Sequence, residues 1–555
     1  MYGWVCDFET LASNTEYTYV WAWGCYNMDN DDFQYGSEIK TFIEWCRNKE
    51  KLYFHNLGFD VAFIIDYLLR NDYKYVNKED RKEGDTNTFY ILKSKDNQVF
   101  MLDICWKYVD SKHIYTTKIY DSYKKLPFSV DSIAKGWNLP ISKLEIDYNA
   151  YREEGGVLTD EELAYLKNDV AIVGIALRGL LESGNDKMTI GADAYQQFLN
   201  TKTSKEIKKL FPVISKEIDE KIRKSYRGGF TYVNPMYANK DIGEGLVYDV
   251  NSLYPYVMYS ALLPYGEPVY FEGEYVPSNK YPLYVAHVNI SFELKPKSIP
   301  CIQIKNNPRF VSTEYLTSSK GDVIELWLTN IDILLIQQNY ECTIEYIEGY
   351  QFQGSQGIFK EYIDKFMEIK KNSKGAKRQE AKLMLNNLYG KLATNPVRAN
   401  KICYLDEEKD IVKYELQDEI YITPKYIPMG TFITAYARFK TISTAQKLYD
   451  RFIYADTDSL HLIGTDEPDI LDIDDKELGY WALEGKFTRG KYLRAKTYIE
   501  EIDNKIKVTC AGLPSKCHNQ VTYENFKYGA VYTGKLLPKV VKGGIILKET
   551  EFKIQ

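Results

Sequence analysis

Apolar positions along the chain come in two rhythms, and the change of rhythm marks its parts. "GWVCDFE" and "YTYVWAWGCY" are short apolar runs of strand length, which predict two paired strands near the start. "VAFIIDYLLR" predicts a buried helix. In "TDEELAYLKNDVAIVGIALRGLLESG", Leu163, Leu166, Val170, Val173 and Leu177 alternate spacings of three and four, the stripe of an amphipathic helix. Thr159 and Glu162 form a capping-box signature before it, and Gly184 ends it. A domain boundary is therefore placed near residue 189. "GEGLVYDVNSLYPYVMYS" then reads as strand, turn and helix, with Pro255 in a first helical turn where proline is tolerated. Residues 261–358 are strand-rich, and Tyr284, Ala286, Val288, Ile290, Phe292 and Leu294 alternate with their neighbours. Residues 359–392 turn helical and basic, with Ser373-Lys374-Gly375 breaking the run into two antiparallel helices. The last residues are lysine-rich and β-like. No short repeat runs through the chain, so it is not a solenoid.

Composition refines this picture modestly. At 555 residues the chain is too long for one core, and 45% hydrophobic residues is a globular value. The aromatic share is high at 15%, mostly tyrosine, which packs in cores and also stacks on bases. Nine cysteines without a CxxC pair argue against a zinc ribbon or a disulfide framework and suit a reducing, cytoplasmic setting. The start lacks a basic stretch followed by an apolar run, and no apolar segment reaches spanning length, so a soluble protein without a signal peptide is expected. A net charge of -7 does not suggest a nucleic-acid partner, but it is a mean, and a channel can be basic inside an acidic protein.

Acidic residues break the strand pattern in two places. In "FIYADTDSLHLIG", Asp456 and Asp458 interrupt an apolar run; if the segment is extended, both carboxylates share one face. Two such charges about 4 Å apart repel by about 4 kcal/mol at an effective dielectric of 20. A hairpin tip in water would tolerate them, and so would a cation between them. Asp7 and Glu9 repeat the arrangement. Asn56 and Asp60 stand beside a helix start, and Tyr165 and Asp169, at i and i+4, share a helical face. Each has a plain structural explanation: Asp60 as an N-cap, Tyr165 as a core residue, Asp7 and Glu9 as a solvated edge.

Taken in order, DxE, N-x3-D and Y-x3-D resemble the three exonuclease motifs of proofreading DNA polymerases with a DEDD-type, RNase H-like domain. Phosphodiester hydrolysis needs an activated water and a stabilised leaving 3′-oxyanion, and two divalent metals held by hard oxygen ligands supply both. The resemblance implies metal binding by Asp7, Glu9, Asp60 and Asp169, a water oriented by Tyr165, and phosphate charge neutralised by Lys143. It also implies that Thr10, His55, Asn56 and Phe59 hold a single-stranded 3′ end, with Ser122 and Tyr123 beside them.

A second constellation follows. Asp249 ends a strand before "VNSLYP", where backbone N–H groups at a helix start can receive phosphate oxygens. Arg378, Lys382, Asn386 and Tyr389 step by four, four and three, so they share one helical face. A solvated basic face is the plain alternative. With D-x2-SLYP, K-x3-N-x-x-YG, YADTDS and KTY in sequence, the chain resembles family B DNA polymerases. "YRGGF" and the 261–358 block narrow this to the protein-primed members of the phage phi29 type. The implied fold is a multidomain α/β and α+β architecture. An RNase H-like 3′–5′ exonuclease domain (1–189) precedes a right-hand polymerase domain. The implied parts are palm (190–260 and 428–529), a first terminal-protein-region insertion (261–358), fingers (359–394), a second insertion (395–427) and thumb (530–555).

The resemblance further implies polymerase metals held by Asp249, Val250, Asp456 and Asp458, and nucleotide binding by Tyr254, Lys370, Arg378, Lys382, Asn386 and Tyr389. DNA contacts would fall to Tyr226, Arg227, Gly228, Gly229, Thr434, Arg438, Lys496 and Tyr498. Two Mg²⁺ per active site are implied, with Mn²⁺ as an alternative. Implied partners are primer-template DNA, dNTPs, a terminal protein primer and a single-stranded-DNA-binding protein; the enzyme would be a monomer or a heterodimer with terminal protein, in the cytoplasm of a phage-infected bacterium. Strand displacement and processive replication belong to the same resemblance. Asn387, Arg378 and Tyr123 depart from the usual serine, lysine and leucine. The rivals are a nucleic-acid-primed polymerase and a nuclease or binding protein with a degenerate polymerase half.

Overall fold

The computed structural model describes all residues except Ser13, Thr15, Tyr148, Asn149 and 305–313. The first unit is built on an eight-stranded mixed sheet. Its centre is three parallel strands, Trp4–Thr10, Lys51–Phe54 and His113–Asp121, with Val20–Asn27 pairing antiparallel to the first. The expected pair of opening strands is therefore present, with Asp7 opposite Gly24 and Glu9 opposite Ala22. The long helix Asp160–Glu182 lies across this sheet. Its capping box is formed by Thr159 and Glu162, and Gly184 follows it at φ +78°. Two glycines let helix and sheet approach closely. A Cβ on Gly24 would stand 2.5 Å from the Leu166 side chain, and one on Gly174 would collide with the Tyr26 ring.

Thr189 caps the next helix, Ile190–Leu199, so the chain leaves the first unit near the expected point. One buried pair ties the two parts together: Lys125, fully buried, bonds Asp193 on that helix and the carbonyl oxygens of Asn185 and Lys187, both at 2.8 Å. A buried ammonium is tolerated only when paired and hydrogen-bonded in this way.

The second unit centres on a five-stranded antiparallel sheet in the order Trp481–Phe487, Gly245–Val250, Ser459–Ile463, Phe452–Asp456, Thr231–Val233. Its long helix, Ile427–Lys447, is buried along most of its length. The 261–358 block forms a separate four-stranded sheet with a helix, Asn330–Asn339, and its own apolar core. The basic segment is a helical pair, Lys360–Asn372 and Gly375–Leu392, broken where the sequence suggested. Strands Arg489–Arg494, Thr497–Ile502 and Lys505–Cys510 share a buried core with the C-terminal hairpin Val531–Val541/Gly544–Lys553. That core runs across the division expected at 529/530.

Three distant segments meet at one point. Asp410, in the turn of the hairpin Lys401–Asp406/Ile411–Leu416, pairs with Arg70 at the end of the helix Asp60–Arg70 and with Lys542 at 2.7 Å. Lys542 lies in the tip of the C-terminal hairpin, whose backbone forms a bridge with Tyr17 and accepts the Thr18 N–H at 3.0 Å. All nine cysteines are free thiols. Among the described residues no helix is long and apolar enough to cross a membrane.

Candidate active sites

The first site is a pocket of acids between the sheet and the long helix. Asp7 and Glu9 leave one face of strand Trp4–Thr10, Asp60 starts its helix, and Asp169 descends from Asp160–Glu182. Burial, then the Asp169 charge, pushes the Asp7 carboxyl up to about 7. Burial and the charges of Asp7 and Asp169 drive Glu9 well above its usual range, and burial and Asp7 do the same to Asp60. Asp169 is raised by burial and held down by Lys143, whose ammonium bonds its Oδ2. The same ammonium reaches the Tyr165 hydroxyl at 3.4 Å. Oδ1 of Asp169 is buried with no hydrogen-bond partner. All six residues singled out in the sequence for this site are thus neighbours.

The flank of this pocket is held rigid. Asn56 takes φ +68°, and Asp121 accepts the N–H groups of Asn56 and Tyr123, both at 3.0 Å. His55 bonds the Ser122 hydroxyl at 3.0 Å and the Phe128 carbonyl at 2.8 Å, and burial lowers its pKa. Ser122 is fully buried, its hydroxyl lying between His55 and the Phe54 carbonyl at 3.1 Å, so it faces His55 and not solvent. Asn56 is exposed, and Thr10, Phe59 and His55 are half-buried.

The second site lies at the end of the five-stranded sheet. Asp249 pairs with Ser459 across the ladder, and the Val250 N–H donates to the Asp458 carbonyl at 2.9 Å. Asp456 and Asp458 do not share a strand face. Asp456 ends its strand, Thr457 turns at φ +63°, and Asp458 sits in the hairpin turn. The alternation of a strand ends at a turn, so the two carboxylates are not set by strand alternation. Asp456 is held by Lys496 Nζ at 2.8 and 3.0 Å and by the Thr231 hydroxyl at 3.0 Å. Asp458 instead faces Asp249. Burial, then Asp458 and Glu484, pushes Asp249 up to about 8, and burial with Asp456 and Glu484 raises Asp458 to about 6.

A cavity of about 890 Å³ opens over this pair. Ser252, Tyr254, Lys370, Arg378, Lys382, Asn386 and Tyr389 line it together with Asp249 and Asp458. The Tyr254 and Tyr389 rings stack, their centroids 3.8 Å apart. Ser252 takes the left-handed conformation at φ +55° before the helix Leu253–Ser260, and Lys370 Nζ bonds its hydroxyl at 3.0 Å. Burial and the neighbouring Arg378 and Lys382 lower Lys370 to about 8, the signature of a cation-crowded pocket suited to a polyanion. Glu484 also lines the cavity. Nothing local in the sequence marked it; strand Trp481–Phe487 reaches Asp249 only through non-local pairing, with Ala482 opposite Asp249.

Other residues singled out in the sequence are spent inside the chain. Arg227 donates to the Ser225 and Trp327 carbonyls, both at 3.0 Å. Arg438 pairs with Asp332 at 2.7 Å and donates to the Arg227 carbonyl at 2.8 Å. Thr434 is fully buried and bonds the Thr431 carbonyl at 3.1 Å. Polar residues in a motif look alike in sequence whether they meet a ligand or hold a loop. Gly228 and Gly229 belong to that loop: Arg438 also bonds the Gly228 carbonyl at 3.0 Å, and a Cβ on Gly229 would collide with Thr457. Tyr226 is half-buried near Tyr389. Tyr498 packs against Tyr454, centroids 4.9 Å apart.

Both acid groups offer hard carboxylate oxygens, like charges forced together, and in one case an orphaned buried oxygen. That donor set fits divalent cations such as Mg²⁺. Among the described residues, no three of His, Cys, Asp or Glu converge closely enough to ligate one ion.

Comparison with known proteins identifies the family. Residues 44–477 match the family model described as DNA polymerase type B, organellar and viral. The DNA polymerase of Bacillus phage B103 is 45% identical over 99% of both chains. A structure of phi29 DNA polymerase complexed with primer-template DNA and incoming nucleotide substrates superposes with a TM-score of 0.93 at 45% identity, covering 100% of this chain and 99% of that one. Phi29 DNA polymerase complexed with single-stranded DNA gives a TM-score of 0.93 at 44% identity, with the same coverage.

Proposed function

Because the chain belongs to the type B DNA polymerases of organelles and viruses, we propose that its two acid sites divide synthesis and proofreading between them. The protein is a template-dependent, protein-primed DNA polymerase with 3′–5′ exonuclease activity, closely related to phi29 DNA polymerase. Its architecture is an exonuclease domain followed by palm, fingers and thumb. Primer-template DNA and dNTPs are its substrates.

One observation carries the assignment of synthesis. Asp249 and Asp458 share a single cavity with the basic face of Lys370, Arg378 and Lys382. In this reading the three cations and the N–H groups beginning the helix Leu253–Ser260 bind the triphosphate. Tyr254 and Tyr389 wall the sugar and base. Asp249 and Asp458 would hold Mg²⁺, with Asp456 and the Val250 carbonyl beside them. When bound, the ions lower the pKa of the attacking hydroxyl and stabilise the departing pyrophosphate. Lys496 neutralises Asp456 and, with Tyr498, stands where a primer end would lie.

Proofreading is assigned to Asp7, Glu9, Asp60 and Asp169. These would hold the second set of Mg²⁺ ions, with Tyr165 orienting the attacking water and Lys143 holding both Tyr165 and Asp169. Thr10, Asn56 and Phe59 offer a surface for a frayed 3′ end, and Ser122 acts by fixing His55. Arg227, Thr434 and Arg438 shape the loop 226–230 from within. A terminal protein supplies the priming hydroxyl and docks on the 261–358 sheet, and strand displacement follows from the enclosing insertions.

The test separates the sites. Asp458→Ala is expected to abolish primer extension and leave degradation of single strands, and Asp169→Ala to do the reverse. If either substitution removed both activities in a folded protein, the two-site reading would fall. Transfer of a labelled dNMP onto a candidate terminal protein tests the priming partner.

A further inference from the structure

One carboxylate near the nucleotide cavity serves neither site. Glu380 lies on the helix Gly375–Leu392, between Arg378 and Lys382, and points away from the cavity. Its Oε1 accepts the Asn185 side-chain N–H at 2.7 Å, and its Oε2 lies 3.1 Å from the Ser183 hydroxyl, which shares its one proton with the Gly179 carbonyl at 3.0 Å. Both donors belong to the end of the exonuclease unit, and Ser183 is the C-cap of the helix that carries Tyr165 and Asp169. Glu380 therefore bridges the nucleotide-facing helix and the exonuclease helix.

The receiving end is stiff. Asn185 is buried; its amide oxygen accepts from Gln197 at 3.1 Å, and its carbonyl accepts the buried Lys125 ammonium at 2.8 Å. Gln197 in turn accepts from Lys365, on the partner helix Lys360–Asn372, at 3.2 Å. Glu380 is half-buried, and burial raises its carboxyl against the lowering by Ser183 and Asn185. A half-buried carboxylate hydrogen-bonded on both oxygens fixes a position more firmly than an exposed ion pair. Nearby, a Cβ on Gly375 would stand 3.2 Å from the Trp137 carbonyl, so the helix start also rests on the exonuclease unit.

We propose that Glu380 is a positioning residue for nucleotide binding: by anchoring its helix to Asn185 and Ser183, it sets where Arg378 and Lys382 present their charges. The proposal rests on the reading that these two cations take the triphosphate. Loss of the anchor loosens the phosphate grip without touching Asp249, Asp458 or the exonuclease carboxylates. It therefore raises KM for dNTP and leaves kcat in place. The dNTP concentration at which extension overtakes degradation rises by the same factor.

The test uses steady-state extension with Glu380→Ala, Asn185→Asp, the double variant Asn185→Asp/Glu380→Gln, and Lys382→Ala. Asn185→Asp places two carboxylates face to face, whereas the double variant restores the bond with donor and acceptor exchanged. Each single variant at the bridge is expected to raise KM for dNTP about three- to tenfold, the scale of one ordinary net hydrogen bond. Saturating kcat and single-strand degradation should stay within about twofold, and the double variant should return KM to within about twofold. The proposal is overturned if KM is unmoved in Glu380→Ala while Lys382→Ala raises it. It is equally overturned if KM, kcat and degradation fall together, or if the exchanged pair fails to restore KM. An unchanged KM in Lys382→Ala would refute the phosphate reading instead.

Discussion

Replacing Asp249 by Asn should stabilise the protein while silencing synthesis. Burial and the charges of Asp458 and Glu484 move this carboxyl from 3.8 to about 8. Between those values the folded protein keeps a proton that the unfolded chain has released. The group's contribution to stability is therefore complete at low pH and is lost as pH rises toward 8. At about 1.4 kcal/mol per unit the shift corresponds to roughly 6 kcal/mol, and water at this partly open site cuts the observable share to about 2 kcal/mol. Asparagine keeps the shape and removes the charge. In EDTA at pH 8, Asp249→Asn should raise the melting temperature by about 2 °C, and at pH 5 it should change little. Adding Mg²⁺ should stabilise the natural protein more than the variant, since an ion bound only by the folded state adds to its stability. Primer extension should be lost and single-strand degradation retained. A variant less stable than the parent in EDTA at pH 8, or one with an unchanged slope of stability against pH, would refute the crowding argument.

Three further outcomes follow from the geometry. Tyr254→Val removes the ring that stacks on Tyr389 at 3.8 Å, and should raise incorporation of ribonucleotides relative to deoxyribonucleotides, read by extension with each set. Gly174→Val pushes the Tyr26 ring and lifts the Asp160–Glu182 helix off its sheet. It should therefore cut single-strand degradation at least about tenfold while extension persists, because small misplacements of catalytic groups are costly. Asp193→Ala leaves the Lys125 ammonium buried without its carboxylate and should destabilise the protein by about 3–5 kcal/mol, measured by denaturant unfolding.

Local chemistry was what the sequence displayed. The capping box at Thr159 and Glu162, the break at Ser373-Lys374-Gly375 and the hairpin around Thr457 all depend on neighbours within a few residues, and all three stand in the structure. The basic face from Arg378 to Tyr389 was legible for the same reason, since helical spacing is fixed. Glu484 was not, because it reaches Asp249 through a ladder between strands over two hundred residues apart. Burial was not legible either. Ser122, Arg227, Thr434 and Arg438 were expected to contact DNA, yet each bonds groups inside the chain. Of the two readings open for Asp456 and Asp458, an extended shared face or a hairpin tip, the structure holds the hairpin, because a turn begins between them.

The bridge between Tyr17 and Lys542 has a consequence for synthesis on the ribosome. The N-terminal sheet can fold as soon as its own strands emerge, but the seam that Lys542 completes with Asp410 and Arg70 must wait until residue 542 has been made. Until then the C-terminal hairpin's seat on the first unit lies bare, so a nascent or prematurely stopped chain would offer proteases an opening that the finished molecule has sealed.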